Sequence, residues 1–348
     1  MTDLRVGIAG YGLAGEVFHA PLIEAADGLS IAGVVTRNPE RAARVHAAHP
    51  AAEVAAHVDE LWDRIDVLVI AASNDAHVPL ALDAIDHGVA VVVDKPLAVT
   101  AADAERVVDA AEAAGVPLTV FQNRRLDGDY LTLRRLLEED LLGDVTRFES
   151  RFERFRPEVS GDAWREDARG EVGGGLLLDL GPHLVDQARE LFGPPVRLYA
   201  EMAKRRPGAQ VDDDTFVALE HAGGERSHLW MSAVAPLHGP RFAVSGSLAG
   251  FSTTGLDPQE AQLAEGMRPG DEGYGVGPDG LLREVEGEEN VPLERGAYAR
   301  FFEAVPAWLR GEAPSPVDPR DSVAVLRLLD AARESAATNS VIELEDSP

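Results

Sequence analysis

Over its first 122 residues the chain repeats one pattern, and that pattern leaves few folds open. Short apolar runs, LRVGIAG (4–10), LSIAGVVT (29–36), IDVLVIAAS (65–73), VAVVV (89–93) and VPLTVFQ (116–122), alternate with amphipathic stretches of helical period. A further short strand is expected near Glu53. Continuous β-branched runs suit strands buried on both faces, and the intervening helices supply the crossovers that parallel neighbours need. Thr100 stands where a helix should begin, and Gly88 and Gly115 where two should end. The expected fold class is α/β, opening with a doubly wound parallel sheet of the Rossmann type.

After residue 123 the rule changes. DVTRFESRFERF (144–155) alternates in strand fashion, and VRLYAEMA, TFVALEHA, RSHLWMSAVAP, RFAVSGS and GFSTTG follow as further strand-like runs. Strands clustered in this way predict a C-terminal α+β domain with an open, mostly antiparallel sheet. Residues 265–290, rich in Gly, Glu and Asp, read as a loop. The division expected is 1–122 for the first domain and 123–348 for the second. An open sheet has one face toward a site and another that needs cover, so a homodimer or homotetramer through the C-terminal sheet is expected.

Composition narrows the partners. The formal net charge is −28, which opposes binding to nucleic acid and to anionic membranes. No stretch approaches the roughly 18 apolar residues of a membrane span, and the N-terminus lacks the basic start and apolar core of a secretion signal. There is no cysteine, so thiolate chemistry and Cys-ligated metals are excluded, and the ten histidines show no ligand spacing, so no metal is expected. A cytoplasmic location is the expectation.

The turn after the first strand, Gly10-Tyr11-Gly12-Leu13-Ala14-Gly15, fits G-x-G-x-x-G between a strand and a helix, the context in which it binds a dinucleotide. Gly10 allows the tight turn, Gly12 the approach of a pyrophosphate, and Gly15 close helix–strand packing. The second strand ends in Thr36-Arg37 with no carboxylate at its tip. A guanidinium there suits a 2′-phosphate rather than a free ribose hydroxyl, so NADP(H) is expected over NAD(H); Arg37 as a solvated loop residue is the plainer reading. Ser73, Asn74 and His77 after the fourth strand, Asp94 and Lys95 after the fifth, and Gln122 and Asn123 after the sixth sit at the carboxyl rim where ligands bind. His77 reads first as a residue that starts or faces its own helix rather than one that does chemistry.

Thirty of the 32 basic residues are arginine, and one of the two lysines, Lys95, ends an apolar strand before Pro96. An ammonium there can donate to a substrate oxygen or shuttle a proton; a structural ion pair with Asp94 or a nearby acid is the alternative. Asp179 and His183 share a face if that segment is helical, giving a proton acceptor and a group to orient it. Pro182 raises the alternative that the helix starts here with Asp179 as its N-cap. Arg125, Phe152 and Trp164 are further candidates for a substrate pocket.

GYGLAG at 10–15, DKP at 94–96 and GGGLLLDLGPHLVDQ at 173–187 together resemble the glucose–fructose oxidoreductase / inositol dehydrogenase family (Gfo/Idh/MocA), in which DKP usually reads EKP. VFHAPLI (17–23), Thr36-Arg37 and FQNRR (121–125) look closer still to its NADP-dependent scyllo-inositol dehydrogenase-like members. Leu126 and Gly128 depart from that subgroup. The resemblance implies that Lys95, Asp179 and His183 line a substrate pocket facing the nicotinamide, with hydride moving between it and a polyol, cyclitol or sugar hydroxyl or ketone. Other implied outcomes are an internally recycled cofactor driving elimination, hydrolysis or dismutation of a sugar, and a non-catalytic sensor of dinucleotide and sugar.

Overall fold

The structure, a computed structural model, describes residues 3–159 and 173–344. The first part builds β1 (Leu4–Ala9), a single π-helical turn (Ala14–His19) running into α1 (Ala20–Glu24), β2 (Leu29–Val35), α2 (Pro39–Ala48), β3 (Glu53–Ala55), β4 (Val67–Ile70), α3 (Asn74–Asp86), β5 (Ala90–Asp94), α4 (Ala101–Ala114) and β6 (Leu118–Phe121). The six strands pair in the order β3-β2-β1-β4-β5-β6, all parallel. The order reverses beside β1, and there the crevice for a ligand opens. Local chemistry sets the helix limits. The Thr100 side chain accepts from the Asp103 N–H at 3.2 Å, and Gly115, at φ +66°, ends α4 in the left-handed conformation.

The second part continues with α5 (Gly128–Glu138), β7 (Val145–Glu153), α6 (Leu176–Phe192), β8 (Pro195–Ala203), β9 (Asp214–His221), β10 (Arg226–Ser232), β11 (Phe242–Gly246), β12 (Gly250–Thr253), α7 (Gln259–Ala264), β13 (Gly280–Arg283) and β14 (Glu288–Val291). It closes with α8 (Ala299–Leu309), α9 (Pro319–Thr338) and β15 (Ile342–Glu343). Nine strands form the second sheet, β14-β13-β12-β11-β7-β10-β9-β8-β15. Every pairing is antiparallel except β7 with β10. The stretch 265–290, expected as a loop, contains β13 and leads into β14, a hairpin that extends this sheet. Leu282 pairs with Phe251 and is buried, an anchor that the polar composition around it conceals.

One face of the second sheet buries Phe148, Phe152, Leu229 and Met231, packed with Leu177, Leu184 and Val185 of α6. The end of the chain returns to the first sheet. In α8, Phe301 and Phe302 pack on Phe121, with ring centroids at 4.9 and 5.5 Å. In α9, Arg320 pairs with Asp109 and Glu112 of α4, while the Asp330 carboxylate accepts from the Ala101 N–H at 3.0 Å. The same α9 holds α6, its Asp321 carboxylate accepting from Arg189 at 2.8 Å, so α6 is set relative to the carboxyl rim of the parallel sheet, and the site depends on that placement. Among the described residues, no helix is long and apolar enough to cross a membrane.

Candidate active site

The glycine turn forms a cradle. Gly10 has φ +100°, and a Cβ there would lie 2.6 Å from the Ala71 carbonyl oxygen. A Cβ on Gly15 would collide with the Gly10 carbonyl oxygen. Gly12 differs, since a Cβ on it would meet only the Arg41 guanidinium, at 4.0 Å. The space beside that backbone is what a pyrophosphate requires. A cavity of about 880 Å³ opens over it. Gly10, Gly12, Leu13 and Ala14 line its floor, Thr36 and Arg37 one end, and Ser73, Asn74, His77, Asp94 and Lys95 the other. These residues fit a dinucleotide with its phosphates at the glycine turn. Gln122 and Asn123 are buried at the end of β6 and lie outside this lining.

Sequence reading missed Asn38 and Arg41, which also line the cavity. The Asn38 side chain accepts from the Arg41 N–H at 3.0 Å and so caps α2, bringing Arg41 to the same end as Arg37. An Asn-Pro pair ahead of a helical run was the available signal.

At the other end the chain is tied down by buried polar groups. His77 is buried, with Nδ1 2.7 Å from the Pro96 carbonyl oxygen and Nε2 3.3 Å from that of Ala72. Burial holds its pKa below the ordinary imidazole value. The Lys95–Pro96 peptide is cis. Burial would raise the Asp94 carboxyl, but His19, Lys95 and His77 around it prevail and hold it below its usual range. Asp94 accepts from the Lys95 N–H at 2.8 Å, and His19 stands 3.7 Å away. The Lys95 ammonium turns elsewhere. Its Nζ lies 2.6 Å from the Asp179 carbonyl oxygen and 3.3 Å from the Asp179 carboxylate.

Helix α6 decides between the two readings of Asp179. The helix begins at Leu176 with Gly175 at its N-cap, so Asp179 lies inside it, one turn before His183. Asp212 secures this start, its carboxylate accepting from the Leu177 N–H at 2.7 Å and its carbonyl from the Leu176 N–H at 3.1 Å. Nearby, Asn74 donates to the Gly173 carbonyl oxygen at 3.0 Å, which joins the rim of the first sheet to the approach of α6. The hydrogen bonds described for Asp179 run to Lys95 rather than to His183. His183 is buried, and its Nδ1 has no hydrogen-bond partner among the described residues. Burial holds the imidazole well below its ordinary pKa, and the positive charges of Lys95, Arg124 and Arg241 push the same way.

The pocket-wall candidates separate. Phe152 packs near His183, ring centroids 6.3 Å apart, and is itself flanked by Arg124 at 4.7 Å and Arg241 at 4.3 Å. It is a buried support beneath the imidazole rather than an exposed wall. Arg125 points elsewhere. Its guanidinium is bidentate on Asp186, at 2.7 and 2.6 Å, and reaches Asp321 at 3.1 Å. The Asp186 carboxylate, buried on α6, captures the side chain expected at the substrate. Trp164 lies outside the described residues.

A sheet of order 3-2-1-4-5-6 with a glycine cradle at its switch point, facing a lysine from the end of a parallel strand and a histidine from a helix of the second part, is the architecture of an NAD(P)-binding oxidoreductase. Residues 4–122 match the oxidoreductase family with an NAD-binding Rossmann fold, and residues 130–252 match the GFO/IDH/MocA C-terminal domain. The chain belongs to the GFO/IDH/MocA family of oxidoreductases. It is 41% identical over 344 residues to the uncharacterized oxidoreductase YdgJ of Escherichia coli, covering 97% of each chain. It is 32% identical over 354 residues to the scyllo-inositol 2-dehydrogenase (NADP(+)) IolW of Bacillus subtilis, covering 99% of this chain and 97% of that one. The solved structure of the oxidoreductase YvaA from Bacillus subtilis superposes with a TM-score of 0.93 at 32% identity, over 99% of both chains.

Proposed function

We propose that the protein is an NADP(H)-dependent dehydrogenase or reductase acting on a hydroxyl, or the matching ketone, of a polyol, cyclitol or sugar. In this reading residues 1–122 hold the dinucleotide and 123–348 shape the substrate and subunit contacts. The observation that carries it is the meeting of the Lys95 ammonium with the first turns of α6, where Asp179 and a buried His183 stand at the carboxyl rim of the parallel sheet.

The nicotinamide, when bound, accepts or supplies hydride at C4. The chain's own groups manage the proton and the oxygen. His183, kept neutral in a dry setting, has a lone pair for the hydroxyl proton in oxidation and returns that proton in reduction. An ammonium has three N–H donors. Two contacts of Lys95 go to Asp179, which leaves a donor for the substrate oxygen and for the charge that develops on it. Asp179 holds Lys95 in place and offers an acceptor to a neighbouring hydroxyl.

Arg37 and Arg41 support the choice of NADP(H), since two guanidinium groups close the cavity where a 2′-phosphate would lie. The Bacillus subtilis relative, a scyllo-inositol 2-dehydrogenase (NADP(+)), supports the substrate class. Association of two or more copies through the outer face of the second sheet completes the reading. That face carries the ring cluster Phe216, His228 and Trp230, with centroids 5.1 to 5.8 Å apart. The deciding experiment is a screen of inositols, aldoses and ketoses with NADP(H) and NAD(H), followed by absorbance of the reduced nicotinamide. No turnover with any of them would remove the proposal.

A further inference from the structure

Among the described residues, every other arginine that is buried or half-buried has an acceptor for its side chain. Arg124 has Asp127 and Glu260, Arg125 has Asp186, Arg206 has Asp213, Arg241 has Gln187, and Arg333 has Asp330. Half-buried Arg154 has none. In a chain with 60 carboxylates and 32 basic residues, an arginine without a partner is unexpected. A partly desolvated guanidinium without an acceptor costs stability, unless a ligand supplies that acceptor.

The backbone shows where this side chain goes. Residue 154 continues β7 in extended form, its N–H donating to the Ser232 carbonyl at 2.8 Å and its carbonyl accepting from the Ala235 N–H at 3.0 Å. Strand alternation puts it on the face that carries Phe148, Ser150 and Phe152. This face lies against α6, and two ring contacts give the register. Phe148 meets Phe192 at 5.6 Å, and Phe152 meets His183 at 6.3 Å. Four strand residues at about 3.3 Å each therefore run alongside nine helix residues at about 1.5 Å each, in opposite directions. Two further strand residues, about 6.6 Å, correspond to about four helix residues. Arg154 thus comes level with Asp179, across from the Lys95 ammonium. Burial and neighbouring Arg156 depress its pKa, while Asp179 and Glu260 attract its charge.

We propose that Arg154 is a substrate-binding residue that closes the site from the second sheet, its guanidinium fork taking a pair of oxygens away from the carbon that exchanges hydride. The group it fits is two adjacent oxygens matched to the fork, supplied either by vicinal hydroxyls of a neutral polyol or by the carboxylate of a sugar acid. The proposal rests on Lys95, Asp179 and His183 being the substrate site.

The test compares the full-length parent with Arg154→Met and Arg154→Lys. Calorimetric affinity is measured with saturating NADP⁺ for neutral inositols, aldoses and matching aldonates, and turnover is measured separately. Arg154→Met is expected to weaken binding of the best ligand by about 10- to 100-fold, with NADP⁺ affinity unchanged. Arg154→Lys should recover only part, because the fork is lost. Weakening confined to aldonates assigns the carboxylate, and weakening on neutral cyclitols assigns the hydroxyl pair. Should Arg154→Met fail to fold, Arg154→Lys carries the comparison. A parent that binds a sugar without turnover keeps the subsite and discards the oxidoreductase reading. Variants that bind every compound as the parent does, or a parent that binds none, overturn the proposal.

Discussion

Lys95 Nζ lies 2.6 Å from the backbone carbonyl oxygen of Asp179, joining the tip of β5 to the first turn of a helix 84 residues further along the chain. The contact places an ammonium from the parallel sheet beside the helix that carries His183. It also engages the lysine through a carbonyl as well as a carboxylate, so the ammonium is held without being fully neutralised.

His183 is the expected proton acceptor. Replacing it with alanine should lower turnover about 100- to 10,000-fold while dinucleotide binding persists, as followed by fluorescence titration. The pH profile gives a second reading. The folded protein disfavours the imidazolium, so the neutral base is retained as pH falls through the ordinary value of 6.5 and is lost only at more acid pH. In the oxidation direction kcat/KM should therefore stay level below 6.5. An acid limb centred at or above that value would contradict the assignment.

Lys95→Arg keeps the charge and loses the shape. The broader fork cannot place a single donor between Asp179 and the substrate oxygen, and its proton is not exchangeable at neutral pH. Turnover is expected to fall about 100-fold with an unchanged thermal transition. Activity within about threefold of the parent, well inside that expected loss, would mean that charge alone suffices.

Arg37→Ala and Arg41→Ala test the adenosine end. Each should weaken NADPH binding by about tenfold or more, the scale of one hydrogen bond to a charged group, and leave NADH nearly untouched. Equal losses for both cofactors would point to general electrostatics instead of a 2′-phosphate contact.

Arg125→Ala should behave as a stability variant. It strips the bidentate partner from Asp186, which is 2% exposed, and a buried charge left in that state costs about 3–5 kcal/mol. Urea denaturation should show the loss, while KM stays at the parent value under conditions where the variant remains folded. A raised KM with unchanged stability would return Arg125 to the substrate.

Much of this molecule is legible from residue order because the underlying signals are local. Runs such as VLVI and AVVV have no polar alternation, so they belong in strands covered on both sides, and β4 and β5 are wholly buried apart from Asp94. The glycine turn is legible for a related reason, as its spacing between a strand and a helix is a local pattern, although the clash that demands Gly10 comes from Ala71 on a neighbouring strand end. The hairpin of β13 and β14 was hidden because one buried contact, Leu282 with Phe251, outweighs an acidic surface pattern. Arg125 was misread because its partners Asp186 and Asp321 lie 61 and 196 residues away.

Sequence by itself determined the doubly wound sheet and singled out the glycine turn, the lysine and the histidine as candidates, since periodicity and turn chemistry act over a few residues. Tertiary structure alone decided that Asp179 sits inside a helix started by Asp212, that it faces Lys95 instead of His183, and that Arg154 stands level with it. Those relationships follow from how α6 packs between two sheets. Packing depends on shape and burial summed over distant segments, which no local pattern records.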